Sequence, residues 1–429
     1  MDQSNILIDG NKTMNPVRLS SSTAPLSLLT ACPGTARPAA VATHIVTVRK
    51  DPASLNRYTM VDVDHLPNNV LHHIYGYIND HNDLMALVTA FGTPVPDDEQ
   101  QKYPAYFQEA LHRVDQCAKQ WKQHWFDAAT YNEPEFIAFN LAYPGHVDIN
   151  ATDFLDRSAL QWATCGGHVE IVNMLLEHEH INADLHSRKN LSPLLLAARA
   201  GQEQIVNMLL ARNDVDVNAT NGQGRTALSQ AAHFGHDEVA VALLGHGNIH
   251  VNATDRQQRT ALQLAADKGH DRIVEALLGH PHIKFNAKDI FGETALIRAA
   301  EKGHVETLNM LLKKTGIDTN ISNRFGNTAL ILASMYDQDV IVAALLHHTQ
   351  TNVNQSNRYG FTALICAAGN GNKTIVKHLL EHQQINIHTR NNYQQTAMLK
   401  ARQRNYWHIV ELLEAHAKQL PQPAGHSEK

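Results

Sequence analysis

From about residue 150 onward, capping, small and apolar positions recur at one spacing. Ser158, Ser192, Thr226, Thr260, Thr294, Thr328, Thr362 and Thr396 each stand 34 residues after the last. Five positions after each comes alanine, from Ala163 to Ala401, and seventeen after each comes leucine, from Leu175 to Leu413. Self-similarity of this kind is read before local propensity, because it makes each period one structural unit. Each unit reads as a tight turn, a short helix, a glycine break, a second helix and a loop. In the unit around Thr294, the hydroxyl caps the first helix and the small Ala299-Ala300 pair admits a close neighbour. Gly303 ends that helix in the left-handed conformation, and Thr307-Leu308-Asn309-Met310-Leu311-Leu312 carries the apolar stripe of the second. No single unit can enclose a core, so stability comes from stacking neighbours. The pattern predicts an all-α solenoid of eight 34-residue helix-turn-helix repeats over residues 150–417.

The flanks read differently. Carrying the period backwards puts Ala129 and Leu141 on the alanine and leucine columns, with Ile137 between them. Residues 101–149 are therefore expected to hold a helical linker and a degenerate capping repeat. At the far end Arg402, Glu414 and Lys418 replace apolar positions, as a water-facing last unit requires, and 418–429 reads as a tail. Residues 61–100 show helical spacing in Leu66-Pro67, Val70-Leu71, Ile74, Tyr77-Ile78, Leu84, Leu87-Val88 and Phe91. Pro67 suits a first helical turn, and Asn79-Asp80-His81-Asn82 supplies a break. Residues 1–60 are rich in Ser, Thr, Ala and Pro, with no acid between Asp9 and Asp51, and read as a disordered leader.

Charge narrows the function classes. With 36 Lys+Arg against 42 Asp+Glu, the formal charge of −6 excludes a broadly basic nucleic-acid binder. No stretch approaches the roughly 20 apolar residues of a membrane-spanning helix. Cys32, Cys117, Cys165 and Cys366 form no C-x-x-C pair, and the apolar surroundings of three of them suit reduced thiols and a cytoplasmic protein. There is no phosphate-binding glycine loop, no H-E-x-x-H and no zinc-finger spacing, so neither catalytic residues nor a cofactor or metal are expected.

The units resemble ankyrin repeats, as in Gly292-Glu293-Thr294-Ala295-Leu296 through Ala299-Ala300 to Gly303-His304. Only Ser192-Pro193-Leu194 keeps the proline of the family's T-P-L motif, and Asp337 and Asn405 replace the inter-helix glycine in units six and eight. The resemblance implies that hairpin tips and first-helix ends line a concave protein-binding surface. On this chain those positions hold Arg188, Lys189, Arg199, Arg225, Arg256, Arg259 and Lys268 in repeats two to four. In repeats five to eight they hold Phe291, Phe325, Tyr336, Tyr359, Phe361 and Tyr393. An aromatic stripe beside an arginine-rich one has the composition of a protein-binding hot region.

The short N-terminal unit resembles an F-box, on Leu66-Pro67, Leu71, Ile74, Tyr77-Ile78, Asp83-Leu84, Val88 and Phe91. In that family the L-P start and the following apolar positions bury against the Skp-type linker of cullin–RING ubiquitin ligases. Leu66, Pro67, Leu71, Ile74, Leu84 and Val88 are the linker-binding residues this implies. An F-box followed by substrate-binding repeats implies a substrate-recognition adaptor of an SCF-type ligase. F-box/ankyrin chains occur in eukaryotes and as effectors that intracellular bacteria deliver into the host cytoplasm. The alternative is an ankyrin scaffold or effector that binds or inhibits a protein without ubiquitin machinery.

The 28 histidines resolve into columns. His168, His236, His270 and His304 follow the inter-helix glycine, where ankyrin-like units often use an imidazole to bond loop backbone. His178, His246, His280, His348, His382 and His416 lie twenty residues after the capping Ser or Thr, with Arg212 and Lys314 in the two gaps. Neighbours in adjacent repeats are about 10 Å apart, too far for one metal ion, so this column reads as a weakly basic ridge.

Overall fold

The computed structural model describes residues 122–142 and 148–419. Among the described residues the regular structure is helical, and extended pairing is limited to isolated bridges such as Thr254 with Thr260. Units are numbered one to eight, from the Ser158 unit to the Thr396 unit. Unit five consists of Ala295–Lys302 and Val305–Leu312. The series runs from Ala159–Gly166 with Val169–Glu177 to Ala397–Gln403 with Trp407–Gln419.

All eight Ser and Thr hydroxyls accept the backbone N–H three residues on, satisfying a donor that the first helical turn leaves free. In units one and four the cap is reciprocal, because the Gln161 and Gln263 side chains accept the N–H of Ser158 and Thr260. First helices end in a left-handed residue, with Gly303 at φ 79°. Asp337 and Asn405 take the same turn at 59° and 62°. Short polar side chains that bond locally tolerate this region, so the two departures leave the chain path unchanged.

The alanine and leucine columns are the core. Ala163, Ala299 and Ala401 have no exposed surface, and Leu175, Leu311 and Leu345 none either. First helices pack on first helices of adjacent units and second on second, so one core runs along the stack. Before unit one, residues 122–131 and Pro134–Ala142 are helical, with Trp125, Ala129 and Ile137 buried and Leu141 against the same core.

The loops after the second helices are joined by an asparagine column. Asn252 Nδ2 donates to the His282 carbonyl at 2.6 Å, and its Oδ1 accepts the Lys284 N–H at 2.8 Å. Asn150, Asn218, Asn286, Asn320 and Asn354 make the same two bonds to the loop of the following junction. Both ends of one amide thus pair backbone groups of a neighbouring loop. No helix among the described residues is long and apolar enough to cross a membrane.

Candidate functional site

In every unit but the second, the first helix is preceded by a five-residue tip whose shape one Asp or Asn side chain sets. Asn323 Oδ1 accepts the N–H groups of Phe325 and Asn327 at 3.0 and 3.1 Å, while its own N–H donates to the Asn327 carbonyl at 3.0 Å. Asp153, Asn221, Asp255, Asp289, Asn357 and Asn391 do the same in their units. One acceptor that holds two backbone donors is what suits Asp and Asn to such turns. Sequence reasoning missed this column; its signal was a 34-residue recurrence of Asp or Asn five positions before the cap, broken only by Ser187. Successive tips are joined through backbone, as Arg324 N–H donates to the Phe291 carbonyl at 2.8 Å and Arg358 N–H to that of Phe325 at 3.0 Å. The result is a ribbon that places Phe291, Phe325, Tyr359 and Tyr393 at equivalent points along one edge.

These rings do not simply stack. The Arg324 guanidinium lies 4.6 Å from the Phe291 centroid and 4.9 Å from that of Phe325, a cation between two aromatic faces. Phe361 meets Tyr393 edge-on at 6.3 Å. Phe325, Tyr359 and Tyr393 remain 43%, 51% and 66% exposed, while Phe291 and Phe361 are half-buried. Tyr336 is exposed at the end of the unit-six first helix. Between this edge and the first helices of units six to eight runs a groove of about 420 Å³. Ile365, Cys366 and Gly369 line it together with Phe361, and Lys400 and Arg404 of unit eight border it. Burial pushes the Cys366 thiol up to about 12, so the groove holds a neutral, unreactive sulfur.

The family model described as ankyrin repeats (3 copies) matches residues 125–221, 210–289, 281–357 and 341–421. The chain belongs to the ankyrin-repeat family. Among solved structures, the ankyrin repeat domain of Bcl-3, a member of the IkappaB protein family, is 26% identical, with a TM-score of 0.47. That match covers 52% of this chain and 100% of the Bcl-3 domain. A search of the curated proteins finds no match. Ankyrin repeats bind protein partners, so this array is a protein-interaction module.

Within the ankyrin array the basic residues expected on the binding surface separate into two groups. Arg225 and Arg259 are turned onto Asp255, at 3.6 and 2.7 Å, and Asp255 is almost wholly buried. Burial opposes ionisation of Asp255, but its hydrogen bonds from Arg259 and from backbone N–H groups outweigh that and hold its carboxyl below the usual range. Arg188 pairs with Asp156 at 2.9 Å, Lys268 lies 3.5 Å from Asp267, and Arg199 sits 5.7 Å from the Phe234 ring. Lys189 and Arg256 are exposed. In repeat five, Arg298 is likewise spent on Asp289 and Glu293, at 3.1 and 2.7 Å. By contrast Arg324, Arg358, Lys400 and Arg404 form no ion pair among the described residues. Uncompensated positive charge therefore lies beside the aromatic groove in repeats six to eight, as well as at Lys189 and Arg256.

Three of the four histidines in the first column bond between repeats, as expected of the family. His168, His236 and His304 place Nε2 at 2.9, 2.9 and 3.2 Å from the carbonyls of Thr130, Arg199 and Asp267. Four of the six histidines in the second column act within their own loops. Nδ1 of His178, His246, His280 and His382 accepts the N–H of the second residue on. Arg212 and Lys314 instead reach back to the carbonyls of Leu176 and Leu278, at 2.7 and 3.0 Å. Among the described residues no three His, Cys, Asp or Glu side chains converge as a metal site. Leu66, Pro67, Leu71, Ile74, Leu84 and Val88 of the F-box-like segment lie outside the described residues, as do the segments 1–60 and 420–429.

Proposed function

We propose that the chain is a non-catalytic substrate-recognition adaptor, cytoplasmic, in which the ankyrin array holds a protein partner and the F-box-like segment docks a Skp-type linker of an SCF-type ubiquitin ligase. The observation that carries the binding half is the aromatic edge with its groove and unpaired cations. Exposed Phe325 and Tyr359 are held in place by a fully bonded backbone ribbon, so little conformational freedom is lost on capture. The contribution to ubiquitin transfer would be proximity of the held substrate to the charged enzyme, with no side-chain chemistry of its own.

The ligase half rests on the L-P start and apolar spacing of residues 66–91. It is tested by pull-down of a purified Skp-type linker with the wild-type chain and with Leu66→Ala/Pro67→Ala. Binding by wild type that the double variant loses supports it. Failure of the wild type to bind leaves a scaffold or effector that engages its partner without ubiquitin machinery.

A further inference from the structure

We propose that the groove over repeats six to eight receives an acidic peptide segment that carries one bulky apolar side chain. This rests on the protein-binding reading above and names the chemistry of the partner. Three features of the groove converge. Its apolar part is compact: Ile365, Phe361 and the neutral Cys366 thiol surround a space left open because residue 369 is glycine. A Cβ at that position would come within 3.1 Å of Lys400 Cγ, so the glycine also gives the lysine stem its place. A single apolar side chain fits a pocket of about 420 Å³ that opens to one side.

The second feature is charge. No acidic residue lines the groove, Lys400 and Arg404 border it, and Arg358 stands exposed on the neighbouring tip. In repeat five Arg298, at the position equivalent to Lys400, already meets Asp289 and Glu293. A ligand carboxylate thus supplies the missing counter-charge at the groove of repeats six to eight. The third feature disfavours a nucleic acid as the source of the negative charge. Arg324 already lies against the rings of Phe291 and Phe325, which leaves Tyr359 and Tyr393 as the edge rings without a cation on them, a short platform for successive bases.

The test is selection of a random-peptide display library on the full chain, followed by fluorescence anisotropy of the enriched peptides. Enriched sequences should flank a Phe, Leu or Trp with Asp and Glu. Their affinity should fall about tenfold in Lys400→Glu/Arg404→Glu, fall less in Lys400→Gln/Arg404→Gln, and weaken with added salt. The glutamine variant, with a melting curve matching wild type, separates lost charge from lost fold. Enriched peptides that are basic or neutral, or that ignore both variants, overturn the acidic-partner proposal and leave the protein-binding reading standing. An oligouridylate that displaces the peptides from the groove and binds more tightly also overturns it. No enrichment on the wild-type chain counts against both.

Discussion

Asp184 accepts the backbone N–H of Asp216 from the position that asparagine fills at the six other loop junctions. An asparagine there would also donate to the carbonyl thirty residues on. The carboxylate has no donor, and its Oδ1 is buried without a partner. Burial raises the pKa of Asp184, and the charges of Asp214 and Asp216 act in the same direction. Asp184→Asn should restore the second bond and stabilise the array by about 1 kcal/mol. A folded-state pKa above the unfolded one means that the wild-type carboxyl favours folding at low pH and loses that contribution as pH rises. The gain from the substitution should therefore be largest at neutral pH and shrink as pH falls into the carboxylate range, measured by urea denaturation across pH.

Asp255 is the opposite case. It holds the tip of repeat four and neutralises Arg225 and Arg259. Asp255→Ala leaves two arginines and two N–H groups without their acceptor and should cost about 3 kcal/mol. Asp255→Asn retains the two backbone bonds and should cost less. Because the folded-state pKa is depressed, the ionic contribution is present above the unfolded value and disappears as pH falls through the folded one. Denaturation of wild type and Asp255→Asn should converge in acid; a constant gap would show that the charge plays no part.

His236 covers Gly201 of the preceding repeat and bonds its Arg199 carbonyl at 2.9 Å. At the equivalent position of other repeats Gln202 covers Gly167 and Gln338 covers Gly303. His236→Gln should therefore leave the melting temperature nearly unchanged, whereas His236→Ala should lose about 1 kcal/mol through the bond and its packing. Equal losses in the two variants would mean that the imidazole itself is required.

The elevated pKa and burial of Cys366 predict a thiol that resists alkylation in the folded chain. Cys165 is exposed, although burial of its sulfur and the opposing charges of Arg157 and Arg199 leave its pKa raised as well. Peptide mapping after iodoacetamide at mildly alkaline pH should show Cys165 modified before Cys366. A bound partner should slow Cys366 further, since it lies in the proposed groove.

Much of the fold was legible because it repeats. A hydroxyl at Thr294, an alanine at Ala299 and a leucine at Leu311 have the same neighbours as their counterparts 34 residues away, so period alone identified cap, contact and core. The aromatic column was legible for the same reason. The loop asparagines and the Asp or Asn of the tips recurred at the same period, broken at Asp184 and Ser187, yet their partners are backbone groups, which a list of side chains does not reveal.

The sequence by itself determined the repeat, its helix boundaries and the faces that stack, since these depend on residues a fixed number of positions apart. Only the tertiary structure decided which charges are available. Arg225 and Arg259 looked as free as Lys400 and Arg404 until the packing of neighbouring tips put both within reach of one buried carboxylate. Formal charge belongs to the residue, but its field reaches a partner only where no opposite charge lies a few ångströms away, and that is a property of the assembled stack.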